Sequence, residues 1–397
     1  MATFTLRHFS SAESLQAVQA KHLLQLLERH AAYFEARGVD LGKVNGHGPD
    51  YEAISGVLMT PDEQTPNALI DDLYYVDEMA TPHAMDGLLD AAKAAGLTLD
   101  VGDEPTPADV AVQVRLHAPA LLEQKHAEFF LLQRRRTFEY FQSRDGVDTT
   151  FRAPNAKKLR AFEGVLGGRL EAMKRGRTCK MFVFPRADGV WFLVRRGDPF
   201  KREGSIEKTG TTSVYYRPEK YDVLKYDEGL GELSVNAEGN KKLVALYREL
   251  IGELLFGDSG RFPNAAKYTL EPLQDDGPNA LVCSDVEGID SITLKEVQIF
   301  WGGAHGEVEI RRAKDLFEAL KSRKKELPKG RLVKASFLVK FTDAKTPRTV
   351  TIRPQNIASY TRDSDAAAVE DWLTRRGLVK TAPEAQDADV APAMAHA

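Results

Sequence analysis

Four polar side chains in the C-terminal third of the chain have types and spacing that suit metal-dependent hydrolysis. Asp285 and Asp290 precede the apolar run ITLKEVQIFW, and Glu296 and Gln298 lie within it. Residues two apart on a strand point to the same face of a sheet. Carboxylates placed in this way can bind Mg2+, while a further polar group orients the attacking water. The spacing therefore predicts a candidate catalytic site.

This spacing resembles the PD-(D/E)xK arrangement of nucleases, with Gln298 in the place of the lysine. The resemblance implies a metal-dependent nuclease with Mg2+ as its cofactor. A half-exposed strand shows the same alternation of polar residues, and the apolar Leu294 and Val297 do not select one buried face. We therefore keep the nuclease as the alternative function, and without it we expect no cofactor and no bound metal.

Positive charge is most concentrated in residues 134–180, where basic residues exceed acidic ones by roughly 8. Such a segment neutralises phosphates, and its interleaved Phe138, Tyr140 and Phe141 suit stacking on unpaired bases. A second basic cluster spans residues 311–334. The candidate nucleic-acid-binding residues are Arg134, Arg135, Arg136, Lys157, Lys158, Arg160, Lys174, Arg175, Arg177, Arg323, Lys324 and Lys325.

Two structural interpretations compete with nucleic-acid binding at this segment. Phe138 and Phe141 have helical spacing, so they could belong to a core while the charges form the solvated face of a long helix. Alternatively, residues 1–133 neutralise the segment, because they hold about 20 acidic and about 8 basic residues. Charge segregated in this way predicts either a contact between domains or two different partners.

Other motifs are weaker. The glycine-rich stretch 164–168 suits phosphate binding at a helix N-terminus, but it is not a P-loop. The glycines of residues 302–306 predict a hairpin turn. His126 follows Glu123 by three residues, which favours a surface ion pair over a metal site. The two cysteines, Cys179 and Cys283, lie far apart and predict reduced thiols.

The candidate residues must be positioned by secondary-structure elements, and the sequence signals for these elements predict an α+β multidomain protein. An all-helical N-terminal domain precedes regions of mixed antiparallel sheet and helix. The predicted parts are an acidic helical domain (1–133), a basic helical hinge (134–180), an antiparallel meander plus helix (181–262), an α+β C-terminal domain (263–380) and a disordered tail (381–397). The tail holds few apolar residues to bury.

Local signals predict individual elements. One helix is expected over residues 12–38, and another opens at Thr106-Pro107 and extends, with an interruption at Pro119, as far as Phe141. The sequence PRADG predicts a hairpin turn between strands 180–184 and 190–195. Apolar residues at helical spacing predict a helix over 240–256.

The sequence contains no strong catalytic motif, so we expect a non-catalytic binding or assembly component. It would contact DNA, RNA or an acidic protein partner through its basic surfaces, and a protein partner could also dock on the acidic N-terminal domain. A third interpretation is a structural subunit of a bacterial multi-protein complex. The absence of a long apolar run predicts a cytoplasmic protein with no membrane contact.

Overall fold

The computed structural model describes residues 6–43, 48–102, 104–132, 136–144, 148–207, 210–238, 240–263 and 267–380. The chain forms two compact units, Met1–Gln133 and Arg134–Ala397. The predicted α+β class with a helical N-terminal region is confirmed. The tail predicted to be disordered, residues 381–397, lies outside the described residues. No helix in the described ranges is long and apolar enough to cross a membrane.

The first unit is helical. After a 3-10 turn at Arg7–Phe9, its helices are Ala12–Gln16 (α1), Ala20–Glu28 (α2), Ala31–Ala36 (α3), Tyr51–Met59 (α4), Asn67–Met79 (α5), Pro82–Ala94 (α6), Pro107–His117 (α7) and Pro119–Leu132 (α8). The predicted helix over 12–38 is therefore three helices. The break before α2 has a local cause, because Asp109 of α7 accepts hydrogen bonds from the backbone N–H of Gln19 (2.9 Å) and from Nδ1 of His22 (2.8 Å). The bond from Gln19 takes the place of the intrahelical bond that its backbone N–H would otherwise donate.

The second unit is built on a sheet. Its strands are Arg136–Gln142 (β1), Cys179–Arg186 (β2), Gly189–Gly197 (β3), Lys201–Glu207 (β4), Gly210–Tyr216 (β5), Glu219–Asp227 (β6), Glu232–Asn236 (β7), Ile289–Gly302 (β8), Glu307–Arg312 (β9), Arg331–Phe341 (β10), Arg348–Arg353 (β11) and Ile357–Tyr360 (β12). All pairings are antiparallel, and ten strands form one sheet in the order β2-β3-β6-β7-β1-β12-β11-β10-β8-β9. The sheet thus combines strands from the segments predicted as hinge, meander and C-terminal domain.

Helices accompany this sheet. They are Ala156–Ala172 (α9), Lys241–Phe256 (α10), Pro272–Asp275 (α11), Leu316–Ser322 (α12) and Arg362–Arg375 (α13). The apolar side of α9 and α10, including Leu166 and Tyr247, packs with Phe192 and Leu224 of the sheet in one buried core. The predicted helix over 240–256 is confirmed, with Gly257 in the left-handed conformation at its C-terminus (φ +67°). The predicted PRADG hairpin is confirmed as β2–β3.

The helix predicted to reach Phe141 is wrong, because α8 ends at Leu132 and the chain then enters β1. Phe138, Tyr140 and Phe141 are all at most 3% exposed. Tyr140 follows Phe138 by two residues and so points to the same face, whereas Phe141 points to the other. β1 lies between β7 and β12 in the sheet, and buried side chains occur on both of its faces, so its apolar residues do not alternate strictly. The spacing of the apolar residues in FEYF suits either a strand or a helix.

A buried ion pair lies beside β1. Nζ of Lys267 is 2.6 Å from Oε1 of Glu232 on β7, and the two side chains are 8% and 3% exposed. The same ammonium lies 4.1 Å from the ring centroid of Tyr140 on β1. Burial raises the pKa of Glu232 above its ordinary value, and the neighbouring Lys267 opposes that rise. The pair therefore ties residue 267 to two strands at the middle of the sheet.

We expect Glu232→Gln to destabilise the second unit by about 3–5 kcal/mol, because it leaves the Lys267 ammonium buried without a counter-charge. The matched control is the double variant Glu232→Met with Lys267→Met, which removes both charges and retains side-chain volume. This double variant should be the more stable of the two. Urea denaturation measures both free energies of unfolding. A single variant as stable as the wild type would contradict the role given to the pair.

Candidate nucleic-acid interface

Strands β4 and β5 form a two-stranded sheet separate from the ten-stranded one, and we call this hairpin the arm. Lys201 pairs with Tyr216 and Arg202 with Tyr215 at the end of the arm nearest the main sheet. Ile206 is 89% exposed and Tyr215 is 68% exposed. Large apolar and aromatic side chains exposed on one element mark interaction sites.

The base of the arm is joined to the turn that follows α9. The guanidinium of Arg217 lies 4.0 Å from the ring centroid of Phe200, which directly precedes the arm. Nη1 of Arg217 also donates a 2.5 Å hydrogen bond to the carbonyl oxygen of Lys174. The basic turn 174–177, part of the segment with the greatest positive charge, therefore lies beside the arm.

A second set of contacts fixes the same turn. Arg175 forms an ion pair with Asp198, whose backbone N–H donates to the carbonyl oxygen of Pro218 (2.8 Å). The end of β3 comes so close that a Cβ on Gly197 would lie 2.4 Å from the carbonyl oxygen of Arg175. Only glycine permits this approach without a shift of backbone. The position of the basic turn therefore depends on the end of β3.

Arg175 also lines a cleft of about 550 Å³ between the end of α9 and the start of α10. Lys241 and Lys242 lie on its far side. The side chain of Asn240 caps α10 by accepting a hydrogen bond from the backbone N–H of Leu243 (3.1 Å). The cations around the arm and the cleft form one surface, which we call the arm-base patch. Its members are Lys174, Arg175, Arg177, Lys201, Arg202, Arg217, Lys241 and Lys242.

Several acidic side chains near this patch already have partners. Glu171 lies 3.5 Å from Arg177, and Asp198 pairs with Arg175 and Arg196. The hydroxyl of Tyr216 donates to Glu203, and this hydrogen bond raises the pKa of Tyr216. Other cations of the patch are exposed and, in the described part of the chain, have no carboxylate within ion-pair distance. These cations are Lys174, Lys201, Arg202, Arg217, Lys241 and Lys242.

Three other basic residues predicted from the sequence lie away from the patch. Lys157, Lys158 and Arg160 are exposed at the start of α9, roughly 25 Å from Lys174 at about 1.5 Å per helical residue. Arg134 and Arg135 lie outside the described residues. Only the backbone of Arg136 is described, and it opens β1.

The second basic cluster lies at the opposite end of the sheet. Arg323, Lys324 and Lys325 are exposed and follow α12, which packs on β8. β8 is seven strands from β3 in the sheet, a separation of roughly 34 Å at about 4.8 Å per strand. Of the predicted nucleic-acid-binding residues whose side chains the structure describes, it therefore brings together in the patch only Lys174, Arg175 and Arg177.

Glu296, the central residue of the predicted metal site, is held by cations. It accepts hydrogen bonds from Nζ of Lys334 (2.8 Å) and Nε of Arg312 (2.6 Å), and Gln298 lies 3.3 Å away. Although burial alone would raise the pKa of Glu296, the hydrogen bonds from Lys334 and Arg312 hold that pKa below its ordinary value. Glu296 and Gln298 do share a face, as predicted, but the carboxylate already has two positive partners.

The other two candidates of the predicted metal site lie elsewhere. Asp285 forms an ion pair with Arg376, and Asp290 lies 3.5 Å from Lys340. Asp290 precedes Glu296 by six residues along β8, roughly 20 Å at about 3.3 Å per residue. Within the described ranges, no group of three His, Cys, Asp or Glu side chains could hold a metal ion. The carboxylates are therefore not brought together.

A small hollow in the sheet lies beside Lys334, the partner of Glu296. Lys334 and Arg353 line a hollow of about 160 Å³ together with the hydroxyl-bearing Thr137, Thr351 and Ser359. Arg353 is exposed, and no ion pair of Arg353 is found among the described residues. Cations and hydroxyl groups together are the donors that bind anions.

The arm is not predicted from the sequence. The sequence predicts an antiparallel meander over 181–262 but no separate hairpin within it, so Lys201 and Arg202 are not among the predicted nucleic-acid-binding residues. The sequence does contain a signal for this hairpin. In FKREGSIEKTGTTSVYYR, basic and aromatic residues lie at the two outer ends, and Gly210 lies between the two segments that form β4 and β5. That pattern suits a hairpin with Gly210 near its turn.

A scan against protein-family models found no family that matches this chain, and a search of curated proteins found no significant match.

We expect Gly197→Ala to destabilise the second unit by about 1–3 kcal/mol, because the new methyl group would overlap the carbonyl oxygen of Arg175 and force the turn to move. Gly204→Ala in β4 is the matched control, since a Cβ at that position meets no atom within 4 Å. Thermal unfolding of both variants measures the difference. Equal stability of the two variants would show that the close approach does not fix the basic turn.

Proposed function

We propose that this chain is a nucleic-acid-binding protein that contacts its ligand through the arm-base patch. The observation that carries the proposal is the joining of the basic turn 174–177 to a projecting two-stranded arm through Arg217. This contact combines the cations of two distant segments with exposed aromatic side chains. A binding role, rather than catalysis, agrees with the cationic surroundings of Glu296.

Electrostatics would supply most of the affinity. Lys174, Lys201 and Arg202 are exposed and have no carboxylate partner among the described residues, so forming phosphate contacts would break no ion pair that the structure describes. Each phosphate neutralised releases counterions from the nucleic acid, which makes the affinity depend steeply on salt. Arg175 has a different role, because its ion pair with Asp198 holds the turn in position.

Aromatic side chains would add contacts to bases. Tyr215 is 68% exposed and Phe200 is 64% exposed, and both lie beside cations of the patch. Unpaired bases stack on such rings whatever their sequence, and each stack contributes about 1–3 kcal/mol. We therefore infer a preference for single-stranded DNA or RNA over duplexes, with little sequence selectivity.

Binding of the purified protein to single- and double-stranded DNA and RNA across a salt series tests the proposal. The expected result is binding at low salt that weakens steeply as salt rises, with the single strands bound more tightly. Fluorescence anisotropy of labelled oligonucleotides measures it. No binding at low salt to any of the four would overturn the proposal and leave an acidic protein as the partner of the patch.

Replacing Lys174, Lys201 and Arg202 together by alanine should lower the slope of log affinity against log salt by about 2–3, since each lost phosphate contact removes about 0.7–0.9. The matched control replaces Lys157, Lys158 and Arg160, which changes the net charge by the same amount at the far end of α9. The control should retain a slope close to that of the wild type. Equal slopes for the two triple variants would place the phosphate contacts elsewhere.

Tyr215→Ala should weaken binding to a single strand by about 1–3 kcal/mol through the loss of one base stack. Duplex affinity should change less, because paired bases are not free to stack on the ring. Leu230→Ala provides the control, since Leu230 is 60% exposed on the turn at the far end of the nine-residue strand β6. If the two variants bound single strands equally well, stacking on the arm would be excluded.

A further inference from the structure

Strand β9 forms one edge of the ten-stranded sheet and pairs only with β8. Among the described residues, no backbone hydrogen bond reaches its outer edge. An uncovered edge presents a row of backbone donors and acceptors that can pair with another strand. This edge is separate from the arm-base patch, because it lies at the opposite end of the sheet.

Large apolar side chains are exposed at this edge. Ile310 is 57% exposed and Val308 is 36% exposed on β9, and Trp301 on the neighbouring strand is 45% exposed. The register with β8 places Val308, Ile310 and Arg312 on the face of Gln298 and Glu296. Alternation then places Glu307, Glu309 and Arg311 on the opposite face. Within each copy Glu309 accepts hydrogen bonds from Nε of Arg311 (2.7 Å) and from Nε1 of Trp301 (3.0 Å). The edge therefore offers apolar contact together with charges of both signs.

Proteins commonly protect an open edge with charged side chains, especially lysine, and charges of a single sign would repel a second copy. In β9 the sequence EVEIRR holds both signs. Two identical strands can lie side by side and antiparallel only across a two-fold axis perpendicular to the sheet. Two residues that lie opposite each other across the axis then point to the same face of the sheet. Because side chains alternate between the faces, both residue numbers are odd or both are even.

Charge selects one of these registers. A register centred on residue 309 forms two Glu307–Arg311 pairs but places Glu309 opposite its own copy, and a register centred on residue 311 places Arg311 opposite its own copy. A register centred on residue 308 places each Glu307 opposite Glu309 of the other copy. All three oppose like charges, which destabilises a strand pair. The register centred on Ile310 instead places each Glu309 opposite Arg311 of the other copy. It also brings the two exposed Ile310 side chains together, with Val308 opposite Arg312.

We propose that β9 is a homodimerisation edge, at which a second copy of this chain pairs in the register centred on Ile310. The interface is isologous, as in most symmetric dimers. The interface of each dimer contains two Glu309–Arg311 pairs and one Ile310–Ile310 contact, in addition to main-chain hydrogen bonds between the two copies of β9. The sheets of the two copies join into one continuous sheet of twenty strands.

The test is the mass of the full chain in solution, by light scattering after size-exclusion chromatography across a concentration series. The wild type should approach twice 44.1 kDa as its concentration rises. In the register centred on Ile310, Glu309→Arg alone places an arginine opposite Arg311 of the other copy. Arg311→Glu alone places a glutamate opposite Glu309 of the other copy. Each single variant should therefore remain at the monomer mass. The double variant Glu309→Arg with Arg311→Glu exchanges both signs and should dimerise again.

Mixing the two single variants gives the sharpest result. A copy with Glu309→Arg and a copy with Arg311→Glu are complementary at both positions, so the mixture should dimerise although neither variant does so alone. Recovery by charge exchange separates a specific interface from misfolding, because a misfolded variant would not regain its partner. A monomeric wild type at every concentration, or single variants that dimerise as well as the wild type, would overturn the proposal.

Discussion

The second unit depends on one strand, β1, which joins the two halves of its sheet. On one side β1 pairs with β7 of the half that includes β2, β3 and β6, and on the other with β12 of the half that ends at β9. The buried pair of Glu232 and Lys267 lies at this junction, against the ring of Tyr140. A charge pair in an apolar environment is unfavourable unless its geometry is well satisfied, so the junction has little tolerance for altered register.

The position of the arm follows from this construction. β3 and β6 pair along their full length, and the arm is inserted between them where both strands meet the turn after α9. Arg217 and Asp198 connect the arm base to that turn, and Gly197 permits the close approach. Cations from residues 174–177, 201–217 and 241–242 thus meet on one surface although they are far apart in sequence. The joined sheet creates the patch, and no single segment contains it.

The class of the fold and many elements could be predicted from the sequence, because α10 and the β2–β3 hairpin have clear periodicity and turn residues. β1 could not, since Phe138, Tyr140 and Phe141 are buried on both faces and their spacing suits a helix equally well. The basic turn was recognised by its composition, whereas Lys201 and Arg202 join it only through tertiary contacts. The predicted metal site depended on separations in sequence, and an extended strand places Asp290 far from Glu296.

Hydrogen–deuterium exchange of the full chain, with and without a saturating single-stranded oligonucleotide, tests the central claim most directly, because it locates the contact surface without altering any residue. Bound nucleic acid should slow exchange in the arm, residues 201–216, and in the turn 174–177, and it should leave the start of α9 unchanged. Binding accompanied by protection only around residues 323–325, or by none in the arm, would contradict the assignment of the interface.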